Sequence, residues 1–310
     1  MDTSIAIWNV RGIGDREKRS RFKRLIRRYN PKIVGLVETK LSNCDDRIIG
    51  SLYSRREFEW VAKNAVRSSG GIAVFWDKLF YTKLSSSEGN HFIVVELFEI
   101  CSSKVWHFVV VYGPQERIDK LAFLSELQNY CSQQSGPICI ADEFNMVRNH
   151  DDYQGSRRSS ELMFEFNSFI DNNGLLELPL GGSRFTWSHG VNRDSRSRID
   201  RVLISQEFDV YYSDRTLTAL ERVESVHNLL VLKWGQDRRI KRPWRFQNMW
   251  LEDERFYENM NSWMGERLQG NGGMFLLAKR LLLIKAKLKV WNKEVFGSMD
   301  VKIGGIITEN

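Results

Sequence analysis

Residues 4–12 read SIAIWNVRG, an apolar run followed by a polar side chain and a turn. The run from Ile5 to Trp8 is typical of a buried strand, and Asn9 stands where that strand ends. Polar side chains stand at the ends of apolar runs throughout the chain, in the order Asn9, Glu38, Tyr112, Asn145, Asp200 and His227. Because a rigid sheet can hold several strand ends at one edge, we expect these side chains to share one cleft.

Apolar, β-branched runs alternate with longer amphipathic stretches through about the first 234 residues. The predicted strands are Ile5–Trp8, Ile33–Val37, Ile72–Trp76, His91–Phe98, Val105–Val111, Ile138–Ile140, Arg184–Trp187, Ile199–Ile204 and Leu229–Trp234. The predicted helices are one capped by Asp15 and ended by Pro31, one near Leu121–Tyr130 and one near Glu161–Ile170. This mixture predicts an α/β fold in which two sheets pack face to face with helices outside.

The composition changes after Trp234, where the basic stretch from Gln236 to Arg245 contains Pro243. We expect one domain over residues 1–234 and, over residues 235–310, a basic linker followed by an amphipathic helix. The apolar positions of this helix recur at intervals of three and four, at Leu277, Leu281, Ile284, Leu288, Trp291 and Val295. This apolar seam packs either on its own domain or on a domain that follows.

The net charge of +7 suits a polyanionic partner such as nucleic acid, although the charge alone does not decide this. The four cysteines form no CxxC pair, which argues against a zinc site or a disulfide framework and favours a reducing compartment. The sequence has no run of eighteen apolar residues and no secretion-signal pattern, so we expect an intracellular protein.

The polar positions suit phosphodiester hydrolysis, which needs a divalent cation, a group that orients water and donors for the transition state. Glu38 is a candidate ligand for a hard cation, or else a solvated carboxylate at a strand end. Tyr112 either donates a hydrogen bond to a phosphate oxygen or packs its ring in the core with its hydroxyl exposed to water. Asp200 can hold one tautomer of His227 and stabilise its charged ring. Asn9 either orients Glu38 or caps a turn.

Motifs in a fixed order carry a family resemblance: Trp8-Asn9-Val10-Arg11-Gly12, Glu38-Thr39-Lys40, Tyr112-Gly113-Pro114, Phe144-Asn145, Ser197-Arg198-Ile199-Asp200-Arg201 and His227. In this order they resemble the endonuclease, exonuclease and phosphatase superfamily, and in particular the apurinic-type endonuclease domain of plant LINE retrotransposons. Three further stretches, Phe185–Ser188, Arg245–Trp250 and Trp291–Gly297, resemble those elements at the point where they lead towards a reverse transcriptase.

The resemblance implies a four-layered, DNase I-like α/β sandwich with a C-terminal helical extension. It implies a Mg²⁺ or Mn²⁺ cofactor and nicking of DNA to leave a 3′ hydroxyl that primes reverse transcription. DNA is then the partner, with element RNA or a downstream reverse transcriptase domain as further candidates. Glu38 would bind the metal with support from Asn9, and Tyr112 and Asn145 would contact the scissile phosphate. Asp200 and His227 would form the charge-stabilising pair.

Two positions depart from the family pattern. Relatives read Gly-Asp-Phe-Asn where this chain reads Asp142-Glu143-Phe144-Asn145, so the residue expected to position the attacking water is Glu143, one methylene too long. An error of about 1 Å in a catalytic group can cost on the order of a hundredfold in rate, although Asp142 beside it offers a partial substitute. Relatives also read Ser-Asp-His where this chain has Ser225-Val226-His227. We therefore expect impaired turnover.

Two other functions stay open at this point. A nucleic-acid-binding remnant without turnover would use the basic side chains of the first helix and of residues 236–245. A phosphatase of the same superfamily would act on a phosphoinositide, a nucleotide or a lipid headgroup, and the retrotransposon-like stretch from Pro243 to Gly297 argues against it. Action on chromosomal DNA would imply a nuclear location.

Overall fold

A computed structural model describes residues 3–53, 55, 57–66, 70–155, 159–189, 195–212, 214–220, 222, 225–234, 250–251, 253–266 and 273–296. The chain forms two compact units, Met1–Lys241 and Arg242–Asn310. The predicted boundary after Trp234 borders a stretch outside the described residues, so the domain assignment stays a prediction.

The first unit contains the strands and the first five helices. The strands are β1 (Thr3–Asn9), β2 (Ile33–Val37), β3 (Phe58–Lys63), β4 (Ile72–Asp77), β5 (Tyr81–Glu88), β6 (Phe92–Glu99), β7 (Lys104–Tyr112), β8 (Ile138–Glu143), β9 (Tyr153–Gln154), β10 (Leu176–Glu177), β11 (Leu180–Gly181), β12 (Trp187–His189), β13 (Ser195–Ser197), β14 (Asp200–Ile204), β15 (Arg215–Ala219) and β16 (Leu230–Trp234). The helices are α1 (Arg16–Tyr29), α2 (Asp46–Leu52), α3 (Arg117–Gln133), α4 (Ser160–Asn172) and α5 (Gln206–Tyr211).

Two large mixed sheets organise this unit. The first has seven strands in the order β11-β15-β16-β1-β2-β4-β3, and the second has six in the order β10-β14-β8-β7-β6-β5. In the first sheet β1 and β2 are parallel, and in the second β7 and β8 are parallel. A small sheet of β12, β13 and β9 accompanies them. The parallel pairs matter for function because their carboxyl ends lie at the same edge.

The sheets pack face to face between helices, and the alternation of side chains shows the layers. In β1, Ile5 and Ile7 join the core between the sheets, whereas Ala6 and Trp8 join the core beneath α1 and α2. The outer face of the second sheet packs on α3 and α4 through a core that includes Phe123. This arrangement confirms the predicted four-layered, DNase I-like α/β sandwich.

The first helix forms for the reasons that its sequence predicts. The side chain of Asp15 accepts a hydrogen bond from the Lys18 amide at 2.8 Å, so Asp15 is the N-cap. Phe22 and Ile26 are buried against the first sheet. The helix ends at Tyr29, and Asn30 takes a left-handed conformation with φ of 50°.

Some expected elements differ from the observed ones. The strand predicted near Arg184–Trp187 lies slightly later in the chain, since β12 begins at Trp187, while the Thr186 hydroxyl accepts from the amides of Ile199 and Asp200. The edge strand β5 escaped prediction because most of its residues are exposed and polar. Short elements such as α2, β10 and β11 also escaped prediction, since they carry too few residues for a periodic pattern.

The second unit contains α6 (Glu254–Gly265) and α7 (Gly273–Phe296), which pack against each other. Their core consists of Trp250, Phe256, Trp263, Ile284, Leu288 and Trp291. The predicted long helix is present, but its apolar seam is buried only in part, because Leu277 and Leu281 are 54% and 60% exposed. A 12-residue helix spans about half the length of a 24-residue helix and cannot cover the whole seam.

Candidate active site

The polar strand ends meet at one edge of the sandwich. Asn9 is the last residue of β1, and Glu38 directly follows β2. Tyr112 and Glu143 end the parallel strands β7 and β8 of the other sheet and lie opposite each other in register. Asp200 begins β14, which is antiparallel to β8, and is paired with Glu143. The topology therefore places all five at the same end of the two sheets.

Glu38 lies on the side of the site formed by β2 and β7. One carboxylate oxygen, Oε1, accepts a hydrogen bond of 2.8 Å from the Tyr112 hydroxyl. The other oxygen, Oε2, is buried and has no hydrogen-bond partner among the described residues. An orphaned carboxylate oxygen of this kind fits a hard divalent cation, which takes oxygen ligands. Burial, followed by the Glu38 carboxylate, raises the pKa of Tyr112, so the phenol stays neutral.

Asp200 and His227 form a buried pair. The Nδ1 atom of His227 lies 3.0 and 3.1 Å from the two carboxylate oxygens of Asp200, and both residues are at most 3% exposed. Burial alone lowers the pKa of His227, but the Asp200 carboxylate and its hydrogen bond, with Glu143 and Glu38, raise it above the ordinary value. The pair therefore favours a charged imidazolium at this edge of the sheets.

Thr186 and Ser225 hold this pair in place. The Thr186 hydroxyl accepts hydrogen bonds of 3.1 Å from the amides of Ile199 and Asp200. The His227 amide donates to the Ser225 hydroxyl at 3.2 Å, and that hydroxyl donates to the Asn9 carbonyl at 2.8 Å. Side chains held by such partners keep a fixed geometry when substrate binds.

Asn9 links the two sheets. Its amide nitrogen donates to the Glu143 carboxylate, and its side-chain oxygen accepts from the Arg11 amide at 2.9 Å. The structure therefore places Asn9 on a turn and bonds its side chain to Glu143 instead of the expected Glu38. Asn145 donates from its side chain to the Gly113 carbonyl at 2.6 Å, which ties the loops after β7 and β8 together.

Glu143 stands at the centre of a cluster of ligating groups. Ligand atoms of Glu143, Asp200 and His227 all lie within 4.8 Å of one another, and all three residues are buried. Burial raises the pKa of Glu143 to about 7, an effect that His227 and the Asn9 hydrogen bond partly offset. Together with Glu38, the carboxylates of this cluster supply oxygen donors of the kind that a hard divalent cation takes.

The two departures from the family pattern lie on the same side of the site. Glu143 contacts Asn9 and lies near Asp200 and His227. Val226 directly precedes His227, and its carbonyl accepts from the Ser188 amide at 3.1 Å. Its apolar side chain offers neither a metal ligand nor a hydrogen-bond acceptor at this position.

Asp142 is a third unusual residue at the bottom of the site. It is 1% exposed, and neither carboxylate oxygen has a partner of normal hydrogen-bond geometry among the described residues. Burial, then Asp200 and Glu143, raise its pKa well above the ordinary value, against the opposing effect of two nearby backbone amides. Its φ of 99° lies in a region that L side chains rarely adopt and that glycine adopts without steric cost.

Sequence reasoning did not assign roles to several residues that the structure brings to this edge. Thr186 orients Asp200, and Arg11 and Lys40 lie within 4 Å of Glu38. All three lie in the sequence motifs that carry the family resemblance, but the sequence alone gave no chemical reason to assign them a role. Positive φ also concentrates here, at Arg11, Glu38, Lys40, Asp142 and Asn145. Such backbone is typical of functional sites.

Two packed mixed sheets, with carboxylates, amides, a phenol and an Asp–His pair at their shared edge, define the DNase I-like class of α/β sandwich. The chain belongs to the Endonuclease/Exonuclease/phosphatase family, whose model matches residues 6–237. The search of the curated proteins found no match.

Solved structures share this fold at low sequence identity. The AP endonuclease LMAP from Leishmania major is 14% identical with a TM-score of 0.58, covering 75% of this chain and 87% of that one. The 3′-5′ exonuclease NExo from Neisseria meningitidis is 17% identical with a TM-score of 0.56, covering 75% and 99%. TDP2 from D. rerio, complexed with single-strand DNA product, is 14% identical with a TM-score of 0.55, covering 76% and 99%. These similarities establish the fold.

Within the described ranges, no helix combines the length and apolar character that crossing a bilayer requires.

Proposed function

We propose that this chain is a divalent-cation-dependent DNA phosphodiesterase of the LINE endonuclease type, with turnover impaired by Glu143 and Val226. The observation that carries the proposal is the convergence of three side-chain pairs at one sheet edge: Tyr112 with Glu38, Asn9 with Glu143, and Asp200 with His227. Family membership and the fold neighbours that process DNA support this reaction class.

The proposed roles fall on two sides of the site, with cation binding on one side and a phosphate contact on the other. Glu38 would hold a Mg²⁺ or Mn²⁺ ion through its orphaned oxygen, and such an ion offsets the charge of a phosphate. On the other side, Asp200 occupies Nδ1 of His227, which leaves Nε2 to donate to a phosphate oxygen from the charged ring. Tyr112, at the end of β7 beside Glu38, and Asn145, in the loop after β8, are suited to contact the scissile phosphate.

Glu143 would have to orient water or accept its proton, and its surroundings support a defect in that role. The family acid at this position is one methylene shorter, and here the longer carboxylate bonds to Asn9. Burial raises the pKa of Glu143, so the surroundings of this carboxyl favour its protonated form, which cannot accept a proton from water. At Val226 the family carboxylate is replaced by an alkyl group. We infer that both changes lower turnover without removing the fold.

The LINE-type role is the finer part of the proposal. The stretches at Phe185–Ser188, Arg245–Trp250 and Trp291–Gly297 support it, because they resemble retrotransposon sequences that lead towards a reverse transcriptase. In this role the enzyme nicks one DNA strand and leaves a 3′ hydroxyl for target-primed reverse transcription in the nucleus. Element RNA and a downstream polymerase domain would be its further partners.

Nicking of supercoiled plasmid with Mg²⁺ or Mn²⁺ tests the reaction. We expect slow nicking by the native chain, none after Glu38→Ala, and at least tenfold faster nicking after Glu143→Asp combined with Val226→Asp. A template-dependent polymerase should extend the nicks if they carry a 3′ hydroxyl. Fast turnover by the native chain would contradict the impairment, and release of phosphate from soluble monoesters without any nicking would contradict the substrate class.

A binding protein without turnover is the second candidate, and the replacements at Glu143 and Val226 favour it. Under this reading the native chain binds duplex DNA in a salt-dependent manner and never nicks it. Restoration of nicking only in the double variant would select this reading over a slow enzyme.

A further inference from the structure

We propose that Arg11 and Lys40 together bind a backbone phosphate of the DNA strand next to the Glu38 side of the site. This inference rests on the proposed function and names a contact that the reaction residues do not provide. The two side chains come from different loops, one after β1 and one after β2, and converge on a single carboxylate.

The geometry leaves both cations available to a ligand. The Arg11 Nε atom lies 3.8 Å and the Lys40 Nζ atom 3.9 Å from Glu38 Oε2, beyond the distance of an ordinary hydrogen bond. The side chains are 45% and 39% exposed, so a ligand reaches them from solvent. Glu38 Oε1 is already bonded to Tyr112. Two positive charges thus face one carboxylate, which leaves an excess of positive charge at the rim.

Backbone contacts fix the two loops against each other. The Gly12 amide donates to the Glu38 carbonyl at 2.6 Å, and the Lys40 amide donates to the Gly70 carbonyl at 3.0 Å. Arg11 is held by the hydrogen bond from its amide to the Asn9 side chain. Because the loops are fixed, binding of an anion requires ordering of the two side chains but not of the backbone that carries them.

Gly12 is the residue that lets Lys40 lie across this turn. A Cβ atom at Gly12 would lie 3.3 Å from the Lys40 Cδ atom, and Gly12 has φ of 89°. The lysine stem therefore packs over the bare backbone, which directs its ammonium group towards Glu38. A guanidinium and an ammonium at one point suit a phosphate, which accepts several hydrogen bonds.

A different role for the pair is neutralisation of Glu38 with no contact to substrate. A background that removes the carboxylate charge, Glu38→Gln, separates the two roles, because neutralisation has no value there. Duplex binding is measured by fluorescence anisotropy in EDTA across a range of salt concentrations, which keeps cleavage and metal out of the readout. The matched control is Lys104→Gln at the opposite end of β7, about 27 Å along the strand from Tyr112.

We expect Arg11→Gln and Lys40→Gln each to weaken binding about fivefold to tenfold near 0.1 M salt, in the native and the Glu38→Gln backgrounds. Each should reduce the slope of log affinity against log salt by about 0.9. Arg11→Lys and Lys40→Arg should keep most of the slope, which shows that a loss of affinity is a loss of charge and not of folding. Lys104→Gln should bind like the native chain.

Two outcomes overturn the proposal, and they differ. If Arg11→Gln and Lys40→Gln bind as tightly as their parent in the Glu38→Gln background, the pair only neutralises Glu38 while the proposed function stands. If the native chain does not bind duplex DNA even at low salt, the proposed function fails together with this contact.

Discussion

Replacement of Asp142 by glycine is expected to stabilise the protein. The backbone of Asp142 has a φ of 99°. Its carboxylate is buried, and among the described residues neither oxygen has a partner of normal hydrogen-bond geometry. Glycine accepts this φ at no steric cost and removes the buried group. The change also restores the residue that the family pattern carries at this position. A replacement inside a candidate active site would thus raise stability, contrary to the usual effect of core substitutions.

The expected gain follows from three contributions. Strained non-glycine backbone costs on the order of 1–3 kcal/mol, and a buried polar group without a partner costs about 1–3 kcal/mol. Glycine also raises the entropy of the unfolded chain, which lowers the free energy of unfolding by about 0.5–1 kcal/mol. The net gain is roughly 3 kcal/mol, and about 1 kcal/mol is the smallest value that these costs allow.

The gain should depend on pH in a defined direction. The pKa of Asp142 is raised in the folded state, so the folded protein holds the proton more tightly than the unfolded chain. The stability that the bound proton contributes is fully present below the unfolded-state pKa of about 3.9. It is lost as the pH rises through the folded-state pKa of Asp142. Asp142→Gly removes that loss, so its advantage over the native chain should be larger at pH 7 than at pH 4.

Urea unfolding in EDTA, followed by tryptophan fluorescence, measures the change. Asp142→Ala separates the contributions, because alanine removes the carboxylate and keeps a Cβ in the strained conformation. The difference between the glycine and alanine variants should be about 1 kcal/mol, which is the strain relieved at this φ less the unfolded-state entropy that glycine adds. A glycine variant less stable than the native chain at pH 7, or equal in stability to the alanine variant, would refute the reasoning.

Three further changes test other parts of the molecule. Thr186→Val should lower the free energy of unfolding by about 2 kcal/mol, since two buried amides lose their acceptor, and Thr186→Ser should restore most of it in the same urea titration. Arg201→Ala should lower the free energy of unfolding by about 3–5 kcal/mol, because Asp152 and Glu177, each 2.5 Å from the guanidinium, lose that partner. A variant as stable as the native chain would contradict a structural role for these ion pairs. Leu288→Ala should cost about 2–5 kcal/mol and speed proteolysis within the helical unit, and an unchanged cleavage rate would show that this core does not hold α6 and α7 together.

Much of the first unit was predictable because its central strands are apolar on both faces. In β1 and β2 every described residue is buried, so the runs are continuous and their ends are marked by the first polar side chain. Edge strands such as β5 have one solvated face and a polar sequence, and their position depends on pairing with β6. Local pattern carries no information about that pairing.

The membership of the site was more predictable than its contacts. Asn9, Glu38 and Tyr112 lie at or just beyond the ends of buried strands, and Asp200 begins a strand antiparallel to β8, so strand pairing brings these positions to one edge. Which side chains then touch depends on how the two sheets pack: Asn9 bonds to Glu143, 134 residues away, where the sequence suggested Glu38 as the residue it would orient. The role of Thr186 was hidden for the same reason, since its hydroxyl serves a strand that only the fold brings beside it.

The departures from the family pattern become informative once they are placed in space. Glu143, Val226 and Asp142 all lie on the side of the site that holds Asp200 and His227, whereas the Glu38–Tyr112 side keeps its motif residues and an orphaned oxygen suited to a cation. Because the site is altered on one side alone, it separates binding from turnover, two functions that an intact enzyme couples. In the proposed enzyme, the kept side supplies Glu38 as the cation ligand, whereas the changed side carries Glu143, the residue proposed to orient water, beside an intact Asp200–His227 pair. This asymmetry argues for a protein in which affinity for nucleic acid outlasts turnover.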